Sequence, residues 1–188
     1  KNFPLPGHDR GREAAIAGQA VFLTGKSEAF FKYASSAFSS GSTELYEFEI
    51  ESWARDAVAP RPDYSKARDA PATAKKIDDD IELGRALGVR AVPSFFVNGL
   101  PMKGGVSPEQ LRPVLEEQLA KAKEVTDSGT PADQLYVALA KAQFTPMPKK
   151  SARMLDDGKT DYAVPLGDAP LLGKDEALVT AVLFGDVA

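Results

Sequence analysis

Catalysis begins with nucleophiles, bases and metal ligands, and this sequence is short of them. It contains no cysteine and one histidine, His8. Those counts exclude a disulfide scaffold, a zinc finger, a cysteine nucleophile within this chain and any His-rich metal site. His8 stands near a helix start, where a histidine is ordinarily solvated or capping, and no G-x-S-x-G elbow accompanies it to build a Ser-His-Asp triad. Asp78-Asp79-Asp80 spreads around a helix at about 100° per residue and reads as a solvated face, without the oxygen-ligand spacing of a calcium loop. Gly167 to Asp175 has the glycines of a phosphate loop. It also has one residue too many before Gly173-Lys174, Asp175 in place of Ser or Thr, and a strand after it where a helix is required. No catalytic residue, metal ligand or cofactor is therefore assigned.

The elements that would position any site change character along the chain. Residues 8–25 read as a helix with a small-residue face (Ala14, Ala15, Ala17, Ala20, Val21) and Gly25 as its stop. A second helical run, Ser27 to Phe38, carries Phe30, Phe31 and Phe38, which with Trp53 are read as core. Thr43 offers an N-cap for a third run through Leu45, Phe48 and Trp53. Pro60, Pro62 and Pro71 punctuate a looser stretch with room for one short helix, and 73–88 form a clearer helix with Ile77, Ile81, Gly84 and Leu87 on one face.

At Val89 the period shortens. Phe95, Phe96 and Val97 close on Asn98-Gly99, a strong hairpin signal, with Leu100 to Lys103 as the return strand. Ser107-Pro108-Glu109-Gln110 caps a helix whose buried stripe reads as Leu111, Val114, Leu115 and Leu119. Thr130-Pro131 starts a short helix, and 144–161 have linker composition. Leu178 to Phe184 is a near-continuous apolar run of the kind that fills a central buried strand, expected to lie beside 93–98.

Length and charge bound the rest. A chain of 188 residues suits about one domain with a small appendage, large enough for a core without staples. A net charge of −4 argues against a nucleic-acid partner and against polybasic membrane attachment. No apolar run approaches the roughly 18 residues of a membrane span. The sequence begins without Met on Lys1-Asn2-Phe3-Pro4-Leu5-Pro6, like the tail of a strand entering a bend, so a slice of something longer is expected.

Lys76 to Gly99 resembles the thioredoxin-fold proteins of the DsbA type. Gly88, Pro93, Ser94, Phe95, Phe96, Val97, Asn98 and Gly99 fit that family's G-x-x-x-x-P-[ST]-F-F-V-[ND]-G loop residue by residue. Lys1 to Pro6 resemble its strand exit, residues 104–119 its closing helix, and Val164 to Asp186 the first strands leading to its Cys-x-x-Cys.

The resemblance implies an α/β, thioredoxin-like fold with an all-helical insertion at about 8–88 and strands at 93–98, about 100–103 and 178–184. It divides the chain into the C-terminal portion of such a domain (1–125), a short helix and linker (126–161), and the N-terminal strands of a permuted or following domain (162–188). It implies that Val92-Pro93 is cis, which costs only about 0.5–1 kcal/mol at an X-Pro bond. Val92 and Pro93 would then be the substrate-binding residues, with the Val92 backbone free to pair with an extended segment of a protein substrate.

In the family this loop faces a low-pKa thiolate at a helix N-terminus. Here the expected function is a DsbA-like thiol–disulfide oxidoreductase domain, periplasmic or otherwise extracytoplasmic, whose active-site cysteines are not in this chain. Relatives also carry an acid six positions before the first cysteine; were a cysteine to follow Ala188 directly, that position would be Leu183, which cannot move protons. A redox-silent peptide-binding module and a glutathione-dependent isomerase or transferase on the same fold stay open, as do enzyme status and a strand-swapped homodimer.

Overall fold

The structure is a computed structural model that describes residues 1–40, 44–58, 61–142 and 164–186. In chain order its elements are α1 (Gly11–Ser39), α2 (Glu47–Ala57), α3 (Arg61–Asp69), α4 (Pro71–Ala86), β1 (Ser94–Val97), β2 (Leu100–Lys103), α5 (Pro108–Asp127), α6 (Ala132–Ala142) and β3 (Ala181–Phe184). The chain is thus mixed helix and sheet. Thr43 as a cap and 144–161 as a linker lie outside the described residues. Among the described residues, no helix is long and apolar enough to cross a membrane. The chain divides into two compact units, Lys1–Ala86 with Asp168–Leu172 and Gly185–Ala188, and Leu87–Gly167 with Gly173–Phe184.

The first unit is built on α1. Its small residues Ala14, Ala17, Ala20 and Val21 form a core with Ala29, Tyr33, Leu45, Ile50, Ala54, Val58 and Tyr64. Tyr33 is fully buried, and its hydroxyl donates to the Ala14 carbonyl at 2.9 Å. Burial pushes that phenol well above its ordinary pKa. Trp53 packs edge-on against Tyr33 from a half-buried position.

The helix break read at Gly25 falls at Lys26, whose φ of 60° and ψ of −160° interrupt α1. Gly25 serves a close approach: a Cβ there would stand 2.4 Å from Ala29 Cβ and 2.8 Å from Val58 Cγ1. Phe38, read as core, is 62% exposed.

The solvated reading of Asp78-Asp79-Asp80 holds for two residues and fails for the third. Asp78 pairs with Arg12 and Asp79 with Lys75, all exposed. Asp80 is 3% exposed because it shares the buried stripe of α4 with Ile77 and Gly84, three residues after one and four before the other. A buried carboxylate needs partners. Asp80 accepts from Lys76 Nζ at 2.6 Å and from the Asn2 N–H at 3.1 Å, with Lys1 Nζ at 3.7 Å. Burial lowers the Lys1 side-chain pKa, and the Asp80 charge opposes that shift. The same N-terminal residues pair in parallel with Gly185, through Phe3 N–H to Gly185 O at 2.8 Å and Gly185 N–H to Lys1 O at 3.1 Å.

The second unit holds a three-stranded antiparallel sheet in the order β2–β1–β3. β1 and β2 form a two-residue hairpin. Asn98 (φ 49°) and Gly99 (φ 93°) are both left-handed there, the combination that a type I′ turn demands. The apolar run 178–184 pairs with 94–97 of the same chain, but only 181–184 is strand. It is not buried on both faces: Val182 and Phe184 are buried, whereas Ala181 and Leu183 are exposed. Thr180 still joins the ladder through Asn98, whose backbone N–H donates to Thr180 O while its side-chain Oδ1 accepts from Thr180 N–H, both at 2.8 Å.

α5 starts at the expected Ser107 cap, with Gln110 completing the capping box. Its buried positions are Gln118 and Ala122, while Leu119 is exposed. Leu135 and Leu139 of α6 pack on Ala122, with Val125 and Leu178 against them.

Two stability predictions follow from the first unit. Asp80→Ala strands the buried Lys1 ammonium, a change that costs about 3 kcal/mol. Asp78→Ala and Asp79→Ala remove exposed, solvent-screened pairs and should each cost far less than Asp80→Ala; equal losses across the three in urea titrations would contradict the burial of Asp80. Gly25→Ala overpacks a rigid contact and should cost about 1–3 kcal/mol despite a gain of about 1 kcal/mol in helix propensity. A thermal midpoint at or above wild type would refute the close approach.

Candidate functional site

The loop from Gly88 to Pro93 carries the two residues singled out for binding. Gly88 takes a left-handed φ of 76°, as a residue that ends a helix does. Val89 is buried and anchors the loop, while Ala91 and Pro93 are exposed and Val92 is half-buried. The Val92–Pro93 peptide is cis. Ser94 Oγ donates to the Ala91 carbonyl at 2.6 Å, a bond that fastens the bend to the first residue of β1.

From Ser94 onward the backbone of β1 is used on both sides, opposite Lys103 of β2 and Phe184 of β3. Val92 lies before that ladder begins, and among the described residues its N–H and C=O make no hydrogen bond. A free donor and acceptor on one half-buried residue, next to an exposed proline, is what an extended polypeptide needs in order to pair by strand addition. Leu183 lies opposite Phe95 in the register and is 41% exposed.

Two carboxylates, one read as solvated and one not singled out by the sequence, are the buried acids of the first unit among the described residues. One is Asp80. The other is Asp186, whose side chain is 1% exposed and whose Oδ2 accepts from the Leu5 N–H and meets His8 Nδ1, both at 2.8 Å. This bond engages Nδ1 of an imidazole whose side chain is 38% exposed and leaves Nε2 as the other ring nitrogen. It is half of a general-base arrangement. Among the described residues no nucleophile is hydrogen-bonded to Nε2, so the pair acts as a clasp between the Leu5–His8 turn and Asp186. Asp80 could have been read from its three-residue spacing after Ile77. His8 and Asp186 stand 178 positions apart and carry no local signal.

Among the described residues, no group of three or more His, Asp or Glu is placed to hold a metal ion. Comparison with known proteins adds no name to this geometry: no family model matches the chain, and no curated protein or solved structure matches it.

The clasp is testable through stability. Asp186→Ala leaves the Leu5 N–H without its acceptor and should cost about 1–3 kcal/mol. Asp186→Asn keeps one acceptor oxygen and should cost less, and His8→Ala, at a partly exposed site, less than Asp186→Ala. Denaturation midpoints that put His8→Ala below Asp186→Ala would show that the imidazole, not the carboxylate, holds this turn.

Proposed function

We propose that this chain carries a DsbA-like, thioredoxin-type scaffold whose own task is to hold an extended segment of a protein substrate at Val92 and Pro93. The observation that carries the reading is the unused Val92 peptide group at the entry to a central strand whose other backbone groups are taken. The antiparallel order β2–β1–β3, entered through the Val92-Pro93 loop, supports the thioredoxin-type part of it. Binding of this kind draws its affinity from main-chain hydrogen bonds, so it accepts many sequences, as an enzyme that acts on unfolded chains must.

Thiol–disulfide exchange itself needs a thiolate and a disulfide. The sequence has no cysteine, so in this proposal any exchange step uses cysteines outside residues 1–188. Such chemistry belongs to an oxidising compartment, so the proposal carries with it a location outside the cytoplasm. A redox-silent binding module is the second reading, and Leu183 favours it: were a cysteine to follow Ala188 directly, an exposed leucine would stand where relatives carry the acid that exchanges protons with a thiol.

The test is titration of the chain with reduced, carboxymethylated ribonuclease A, an extended polypeptide without free thiols, followed by calorimetry and amide exchange. We expect saturable binding, protection of the Val92 amide, and a loss of at least about tenfold in affinity, on the order of 1.4 kcal/mol, for Val92→Pro. That change deletes a donor the fold does not use, so the thermal midpoint should stay near wild type. Binding without Val92 protection, or an unchanged affinity in Val92→Pro, would overturn the assignment. Binding of reduced glutathione but not of the polypeptide would replace it with the small-thiol transferase reading.

A further inference from the structure

The start of α2 presents aromatic surface that the fold does not use. Tyr46 and Phe48 stack on each other, with ring centroids 5.7 Å apart and planes at 21°, and they are 49% and 71% exposed. Burying a phenylalanine side chain is worth about 1.5–3 kcal/mol, so leaving one in water beside a second ring forgoes stabilisation.

The pair is also held in place. The Tyr46 hydroxyl donates to Glu44 Oε2 at 2.8 Å, and the Tyr46 N–H donates to Glu49 Oε2 at 3.2 Å. Both ends of the residue are therefore tied, and the ring is ordered before any ligand arrives, which lowers the entropy lost on binding. Between the rings in sequence lies Glu47, an exposed carboxylate with no hydrogen bond or ion pair among the described residues.

Ring faces attract cations through their quadrupole, most strongly when carboxylates stand nearby to complete the pairing. Every formal charge from 44 to 51 is negative: Glu44, Glu47, Glu49 and Glu51. Glu51 is turned inward to Arg68 and Tyr64, which leaves the first three around the aromatic pair. An acidic or a lipid partner would meet repulsion here. A second copy of this chain, at net −4, would bring its own charge into the same field.

We propose that Tyr46 and Phe48, framed by Glu44, Glu47 and Glu49, form a docking surface for a basic, lysine- or arginine-bearing segment of a partner protein. A cationic head lies on the outer ring face, its methylene stem covers apolar ring surface, and Glu47 supplies the counter-charge. The surface uses none of the residues around Val92, so it can fail while the substrate-binding proposal stands.

The experiment uses two labelled decapeptides of alternating charged residue and alanine, one with lysine and one with glutamate, read by fluorescence anisotropy on the 188-residue chain. The lysine peptide should bind, and the glutamate peptide should not. Phe48→Ala should weaken the lysine peptide by about fivefold or more, and Glu47→Gln by about threefold. Raising salt to 0.5 M should weaken it further, because the exposed charges are then screened. Phe48 is largely in water, so the Phe48→Ala chain should keep its thermal midpoint and its affinity for carboxymethylated ribonuclease A. Equal binding of both peptides, or lysine-peptide affinity unmoved by Phe48→Ala, would overturn the proposal. So would self-association in sedimentation that Phe48→Ala abolishes, since the occupant would then be a second copy.

Discussion

Every ladder hydrogen bond of the sheet passes through β1. Ser94 to Val97 meets Lys103 to Leu100 on one side and Phe184 to Ala181 on the other, so neither neighbour has a strand partner in the sheet except through it. A two-stranded hairpin alone is marginal in water, and a third strand with one apolar face makes it stable. That third strand is supplied from 181–184, far along the sequence. The entropy of closing so long a loop grows only slowly with its length, whereas the pairing gains the buried Val182, Phe184 and the edge-on contact of Phe184 with Phe96 at 5.7 Å. The ladder then sets where backbone groups stay open. Val92 is the residue at which β1 has not yet begun, and its peptide group stays open for that reason.

Some of this was legible before any coordinates. The Asn98-Gly99 turn and the Ser107 cap with Pro108 behind it rest on local chemistry that the residues display, and the pairing of the last apolar run with the aromatic strand rests on the need of such a run for strand partners. What failed did so where a pattern has two readings. Leu178 to Phe184 is apolar at nearly every position, so periodicity could not tell a strand buried on both faces from one with Ala181 and Leu183 in water. Leu119 and Gln118 are neighbours on α5, and the leucine is the exposed one. Gln118 is fully buried with no hydrogen bond to its side-chain amide, and no sequence rule puts a glutamine there.

The buried acids show the same limit more sharply. Three consecutive aspartates look alike in composition, yet one of them lies on the apolar stripe of α4 and must be neutralised by what reaches it, Lys76 from its own helix and Lys1 with Asn2 from the start of the chain. Helical spacing could have placed Asp80 on that stripe. Nothing local could have named its partners, and the pairing of His8 with Asp186 is wholly a product of tertiary structure. The candidate loop at Val92 and Pro93 came from a resemblance in pattern, and only the structure shows the Val92 peptide group without a hydrogen bond among the described residues.

A site made of peptide groups constrains function differently from one made of side chains. A catalytic thiol or imidazole can be deleted by one substitution, and the fold is indifferent to it. The Val92 N–H and C=O are present whatever side chain stands there, and only the path of the chain decides whether they are open. A chain without cysteine therefore has no thiol exchange of its own, and its open peptide groups do not depend on a thiol. The proposed site at Val92 accordingly rests on the path of the chain and on no single side chain.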